Sequence, residues 1–297
     1  MNNIKSRIFE GVGTAIVTPF SRGKVDYNSL KRIIEFQISE GVNAIVVCGT
    51  TGESATLDDS EKRKIIEFTV NVSNKRAPVI AGTGCNNIRK ATELSAFAGK
   101  CGADAVLTVT PYYNKASKNG LIQSFTTIAD AAKIPVLLYN VPSRTGIDIP
   151  FDVYEELSKH ENIYGVKEAG GSISVSEKIL NICGENFSVY AGNDELTVPT
   201  MSIGGSGVIS VVSNVIPSRM KNMCKLALDG KTNEAGREQR AILKLIEALF
   251  SEVNPIPVKT AMKEMGLCSD EMRLPLCALD SVKTETLKSI LKEYKLV

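Results

Sequence analysis

Residues 164–171 read YGVKEAGG, and the lysine at position 167 decides how the rest of the chain is understood. An ammonium group is strongly hydrated and almost never fully buried without compensation. Lys167 nevertheless stands inside a short apolar run of strand character. On an edge strand it would face water; in a closed sheet it would sit in a dry interior. Strand alternation puts Gly165, Lys167 and Ala169 on one face, Val166 and Glu168 on the other.

Working outward, similar runs recur at 11–20, 43–49, 77–84, 105–111, 136–142, 164–169, 188–194 and 207–214, with starts 19–34 residues apart. Segments with helical apolar spacing lie between them, such as 29–41, 60–74 and 119–133. Asp59–Ser60 are N-cap candidates ahead of Glu61, and Gly41 is a helix stop. Continuously apolar strands alternating with helices indicate buried parallel pairing. An open doubly wound sheet would need edges and usually a GxGxxG turn after its first strand, where this chain has TPFSRGK. The expected fold is therefore α/β, a (β/α)8 TIM barrel. The strand signal stops after Asn214, and helical spacing in REQRAILKLIEALF and DSVKTETLKSILKEY predicts a C-terminal helical extension. The expected division is a catalytic barrel over 1–224 and a helical domain over 225–297.

Bulk properties exclude several classes. The 297 residues carry 35 Lys plus Arg against 33 Asp plus Glu, with the signs interspersed. That balance gives no reason to expect nucleic acid or an anionic membrane as partner. Neither a signal peptide nor an apolar run of ~18 residues is present, so a cytoplasmic protein is expected. Seven cysteines, without a CxxC pair, read as buried free thiols. The single histidine, His160 in LSKHEN, reads as a surface residue. One histidine and no cysteine cluster argue against a metal site and against a Ser-His-Asp triad.

The polar clusters CGTTGESATL, GTGCNN, TPYYNK, YNVPSRTG, KEAGG and AGNDE all follow strands. In such barrels the site is built at that end. Small residues around Lys167 leave space beside its amine. Desolvation disfavours the charged form, and a neutral amine can form an imine with a carbonyl substrate. The alternative is a structural, ion-paired lysine. Tyr139, ending the preceding strand, could exchange protons with an imine, or be an ordinary core tyrosine. Arg144 offers a guanidinium to a carboxylate, or is one more exposed loop arginine. Thr50 and Thr51 offer hydroxyls and backbone N–H groups to a small carboxylate, with a capping role for Thr51 or Ser54 as the plainer alternative. IGGSG (203–207) precedes the last strand and reads as a tight turn, not a phosphate cradle.

Taken together, GTTGES, TVTPYYN, YNVPSRTG, GVKEA, GND and GVISV, with NPIPVKTAM further on, resemble the dihydrodipicolinate synthase family over essentially the whole chain. The resemblance implies that Lys167 forms a Schiff base with pyruvate. It implies that Tyr139 shuttles protons through Thr51 and Tyr113, the last reaching in from a neighbouring subunit. Thr50 and Thr51 would hold the pyruvate carboxylate, Gly192 and Ile209 would line the pocket, and Arg144 would receive the carboxylate of L-aspartate 4-semialdehyde. No metal or organic cofactor is implied; a homotetramer, a dimer of dimers, in diaminopimelate and lysine biosynthesis is. In lysine-inhibited members the effector pocket maps to Ser54, Ala55, Asp59, Lys62, Asn86, Lys90 and Tyr112. Lys90 replaces the carboxylate there and Lys62 a histidine, so feedback inhibition is expected to be weak or absent. Two alternatives remain: another pyruvate aldolase, such as an N-acetylneuraminate or keto-deoxy-sugar lyase, and a non-catalytic binding barrel. The former should lack the full PSRTG loop and the second threonine of GTTGE.

Overall fold

Eight of the apolar runs become strands that pair in parallel and close into a barrel: β1 (Gly11–Ala15), β2 (Ala44–Val47), β3 (Val79–Gly82), β4 (Ala105–Val109), β5 (Val136–Asn140), β6 (Ile163–Glu168), β7 (Ser188–Ala191) and β8 (Gly207–Ser210). Each strand pairs with the next in the chain and β8 returns to β1, so no edge is left. The computed structural model describes residues 5–297. A small antiparallel hairpin, Phe20–Ser21 with Lys24–Val25, follows β1.

The strands are shorter than the apolar runs that announce them. Beyond Val47, for example, Cys48 turns to φ 56° and the backbone leaves the ladder to enter a loop.

Helices α1 (Tyr27–Ser39), α2 (Asp59–Ser73), α3 (Ile88–Lys100) and α4 (Lys118–Ala132) alternate with the early strands. The short α5 (Pro142–Thr145) precedes α6 (Phe151–Ser158), and α7 (Ile173–Cys183), α8 (Thr197–Ser202) and α9 (Pro217–Leu228) complete the ring. Helix α1 ends as the sequence implies, with Gly41 at φ 76° just beyond it. The start of α2 does not. Its N-cap is Asp58, not Asp59 or Ser60, because the box closes three residues ahead of Glu61, whose carboxylate accepts from the Asp58 N–H at 3.0 Å.

Two apolar layers result. Leu30, Ile33, Ile65, Phe125 and their neighbours pack between helices and strands. Inside the barrel, Ala44, Val46, Ile80, Leu107, Leu137, Tyr190 and Ile209 form a second cluster. Its floor is closed by Phe9, stacked on Tyr190 at 4.4 Å, whose hydroxyl donates to the Phe9 carbonyl at 2.7 Å. The barrel is thus packed at its N-terminal end and open at the other. IGGSG lies at the closed end, where a Cβ on Gly207 would fall 1.9 Å from the Gly11 carbonyl oxygen. Only glycine lets β8 approach β1 there.

His160 lies just ahead of β6 with Nε2 3.1 Å from Asp130 and Nδ1 accepting the Asn162 N–H at 3.1 Å, at the opposite end of that strand from Lys167. All seven cysteines are free, but burial is uneven: Cys48, Cys224 and Cys268 are buried, while Cys277 is exposed, contrary to the expectation of buried thiols throughout. Cys277 falls in 265–280, which carries no helix although helical structure was expected there. Gly266 and Pro275 interrupt that segment. It joins α10 (Thr232–Ala241), α11 (Leu243–Leu249) and α12 (Ile256–Glu264) to α13 (Ser281–Glu293). Among the described residues no helix is long and apolar enough to cross a membrane.

Candidate active site

Two lysines are buried among the described residues, and their surroundings differ in kind. Lys259 is paired with Glu53 at 2.6 Å, both side chains fully enclosed. Lys167, 5% exposed, makes no ion pair within 4.0 Å among the described residues. A buried amine without a counter-charge is costly and does not serve stability. Lys167 therefore lacks, among the described residues, the ion pair that its structural alternative called for.

The register of β5 against β6 pairs Tyr139 directly with Lys167. The two therefore point into the same interior, and Nζ lies 4.5 Å from the centre of the Tyr139 ring. Alternation holds across the strand. Glu168 points the other way, buried between barrel and helices, where it accepts from Asn140 Nδ2 at 3.0 Å, Tyr154 at 3.3 Å and the Gly170 N–H at 2.6 Å. Burial nonetheless pushes the Glu168 carboxyl above its usual range, with those bonds opposing.

Above the Lys167–Tyr139 pair opens a cavity of about 470 Å³, lined by Thr50, Thr51, Tyr139, Arg144, Lys167, Gly192 and Asn254 among others. The GTTGE turn is folded on itself: Gly52 and Ser54 donate to the Gly49 carbonyl at 3.1 and 3.3 Å, and Glu53 donates to Thr50 at 3.0 Å. The Thr18 hydroxyl pins it further, donating to the Gly52 carbonyl at 2.7 Å. Among the described residues the N–H groups of Thr50 and Thr51 donate to no backbone carbonyl. Arg144 stands at the rim on α5 and donates to the Asn254 carbonyl at 3.3 Å.

The β7 and β8 ends are clamped together by Asp194, fully buried, which accepts from Ser210 Oγ at 2.5 Å and from the Val211 and Val212 N–H groups at 3.0 and 3.3 Å. Burial raises its carboxyl to about 6. The clamp fixes Gly192 on one side and the end of β8 on the other. Ile209 itself sits deeper, in the interior apolar cluster.

Not every expected residue meets at this cavity. Tyr113 is 94% exposed, with φ 72°, and is absent from the cavity lining. Ser54, Ala55, Lys62 and Tyr112 line a second cavity of about 300 Å³ that shares Thr50, Arg144 and Asn254 with the first. Asp59 and Lys90 pair at 3.2 Å nearby, and the Asn86 carbonyl accepts from Asn114 at 3.0 Å. Conversely, Asn254, Glu53 and Lys259 bear on the site and were not singled out by residue chemistry. Their signal in the sequence is that Glu53 lies in GTTGES and Asn254 and Lys259 in NPIPVKTAM, two of the stretches that carry the family resemblance.

A model of the dihydrodipicolinate synthetase family matches residues 8–294. The chain is 47% identical over 294 residues to the 4-hydroxy-tetrahydrodipicolinate synthase of Acetivibrio thermocellus, covering 99% of this chain and 100% of that one. Among solved structures, the chloride-inhibited dihydrodipicolinate synthase of Acinetobacter baumannii complexed with pyruvate superposes with a TM-score of 0.95 at 42% identity, covering 97% of this chain and 99% of that one. A monomeric dihydrodipicolinate synthase variant superposes with a TM-score of 0.95 at 39% identity, covering 98% of each chain. With the closed barrel and the unpaired lysine at its mouth already in place, these likenesses settle the matter: this chain belongs to the dihydrodipicolinate synthetase family.

Proposed function

We propose that this protein is a 4-hydroxy-tetrahydrodipicolinate synthase, which joins pyruvate to L-aspartate 4-semialdehyde through a Schiff base on Lys167. The observation that carries the reading is the buried amine of Lys167, without a counter-ion, facing the phenol-bearing ring of Tyr139.

The chemistry follows from what lines the cavity. The amine attacks the keto carbon of pyruvate, and loss of water gives an imine. Removal of a methyl proton gives an enamine, whose carbon adds to the aldehyde and forms the new C–C bond. The amine of the semialdehyde then adds to the imine carbon, closes the ring and expels Lys167 as a free amine. One water leaves per turnover. Tyr139 is the proton donor and acceptor for these steps, with Thr51 as relay. The N–H groups of Thr50 and Thr51, free of backbone partners among the described residues, and their hydroxyls suit the pyruvate carboxylate, which needs no metal in this arrangement. Arg144 at the rim suits the carboxylate of the second substrate.

The role of Arg144 separates this reading from a sugar-acid lyase. Arg144→Ala removes a charge-assisted contact of about 1.5–3 kcal/mol. The KM for the semialdehyde should rise roughly 10- to 100-fold, with the KM for pyruvate nearly unchanged, in a steady-state condensation assay. Equal losses for both substrates would place Arg144 elsewhere in the reaction. Cleavage of N-acetylneuraminate or a keto-deoxy acid, without semialdehyde condensation, would reverse the assignment.

Feedback by L-lysine should be weak. The second cavity presents Lys62, and Lys90 beside it already occupies Asp59. A diammonium effector would meet the Lys62 ammonium, a repulsion of roughly 1 kcal/mol at contact in a solvated site, and would find the Asp59 carboxylate already paired. Condensation rates at about 1 mM L-lysine should stay within about twofold of the uninhibited rate; strong inhibition would overturn this.

The same reading assigns the enzyme to the cytoplasm, where free cysteines persist, and to a homotetramer built as a dimer of dimers. The exposed Tyr113 supports an oligomer: an aromatic side chain held out in solvent suits insertion into the site of a neighbouring copy.

A further inference from the structure

The second buried lysine has no part in the reaction as described, yet its ammonium is held from three sides. Lys259 Nζ lies 2.6 Å from Glu53 Oε1 and 2.6 Å from the Glu271 carbonyl, and sits over the Phe20 ring at 4.4 Å. Glu53 is the last residue of the GTTGE turn and is held at φ 54°, a left-handed conformation that costs a residue with a side chain. Its second oxygen accepts from the Arg273 N–H at 3.2 Å, and Arg273 in turn forks onto Glu61 at 2.6 and 2.7 Å.

A buried ion pair rarely stabilises a fold more than apolar residues of the same size would. What it does impose is one geometry. Here that geometry is the turn bearing Thr50 and Thr51, gripped from a segment about 200 residues away in the chain. The same segment supplies a second grip: Asn254 Nδ2 donates to Thr51 Oγ1 at 3.0 Å. By filling one lone pair of the Thr51 hydroxyl, Asn254 leaves its proton free to point elsewhere. Asn254 Oδ1 is buried and has no hydrogen-bond partner among the described residues.

We propose that the Glu53–Lys259 pair positions the Thr50–Thr51 turn for proton transfer, with Asn254 fixing the Thr51 side chain. Glu53 and Lys259 are positioning residues; neither touches substrate. The inference rests on the reading of Lys167 and Tyr139 given above, and the experiment keeps the two apart.

Pyruvate alone is the probe. Borohydride trapping at Lys167 reports imine formation, and exchange of the pyruvate methyl protons with deuterated solvent reports proton removal. In the wild-type protein both should occur; absence of trapping there strikes the reading of Lys167, not this inference. The variant Glu53→Gln/Lys259→Met removes both charges together, so neither is left buried alone. It should still be trapped by borohydride, while methyl exchange and kcat fall about 10- to 100-fold and the KM for pyruvate rises. Glu53→Gln, which keeps an oxygen against Nζ, should lie between that variant and the wild type. A folded double variant with wild-type exchange and kcat would overturn the proposal, as would parallel loss of trapping, exchange and thermal stability. Should the double variant fail to fold, Glu53→Gln alone decides: unchanged exchange in it would overturn the proposal.

Discussion

Lys167→Ala should lose turnover by a factor of about 10³ or more, the scale seen when a covalent nucleophile is removed, and borohydride with pyruvate should no longer modify the protein. Lys167→Arg should fare no better, since a guanidinium stays protonated and cannot attack a carbonyl. The substitution should leave the fold intact. Lys167 has no ion-pair partner among the described residues, so its removal strands no buried carboxylate. Lys259→Met is the contrast: it strands Glu53 in an enclosed site and should cost about 3–5 kcal/mol of stability. The two buried lysines thus make opposite predictions, one losing chemistry and keeping stability, the other unfolding more readily. Thermal melts alongside the condensation assay read both. Retained turnover in Lys167→Ala, or a pyruvate adduct trapped on a different lysine, would remove the proposed nucleophile.

The barrel was legible because the signals for it are local and repeated. Apolar runs with helical spacing between them mark each βα unit, and the period of two correctly separates Lys167, facing the interior, from Glu168, facing the helices. The same periodicity lets Tyr139 face that interior, and the register of the structure then sets it opposite Lys167. What escaped local reading depends on partners far away in the chain. Nothing near Lys259 announces that Glu53 will meet it, and nothing near Asn254 announces Thr51; the separations are 206 and 203 residues. The segment 265–280 is not helical because its backbone serves distant partners: the Arg273 N–H donates to Glu53 of the GTTGE turn, and the Glu271 carbonyl accepts from Lys259. Cap positions erred for a smaller reason: three adjacent residues, Asp58, Asp59 and Ser60, can all cap, and only the spacing to Glu61 chooses among them.

Tyr139→Phe tests the other half of the chemistry. The two side chains share their ring, so packing against Lys167, whose Nζ lies 4.5 Å from the ring centre, should persist. Only the hydroxyl at the cavity wall is lost. A positioned acid–base group contributes roughly 10²–10⁴-fold, so kcat should fall by that factor while thermal stability stays within about 1 kcal/mol of wild type. Imine formation needs protons moved when water leaves, and enamine formation needs one removed from carbon. Trapping should therefore slow but still reach Lys167, and deuterium exchange into the pyruvate methyl group should slow at least as much. Thr51→Val, which keeps the shape and removes the proposed relay hydroxyl, should give a smaller loss in the same direction. If Tyr113 completes the relay from a neighbouring copy, Tyr113→Phe should mimic Thr51→Val, although its own side chain is 94% exposed within its chain. An active, monodisperse monomer would take Tyr113 out of the relay without touching Tyr139. Full turnover in Tyr139→Phe would reduce the phenol to a packing group and leave Lys167 without its proton donor.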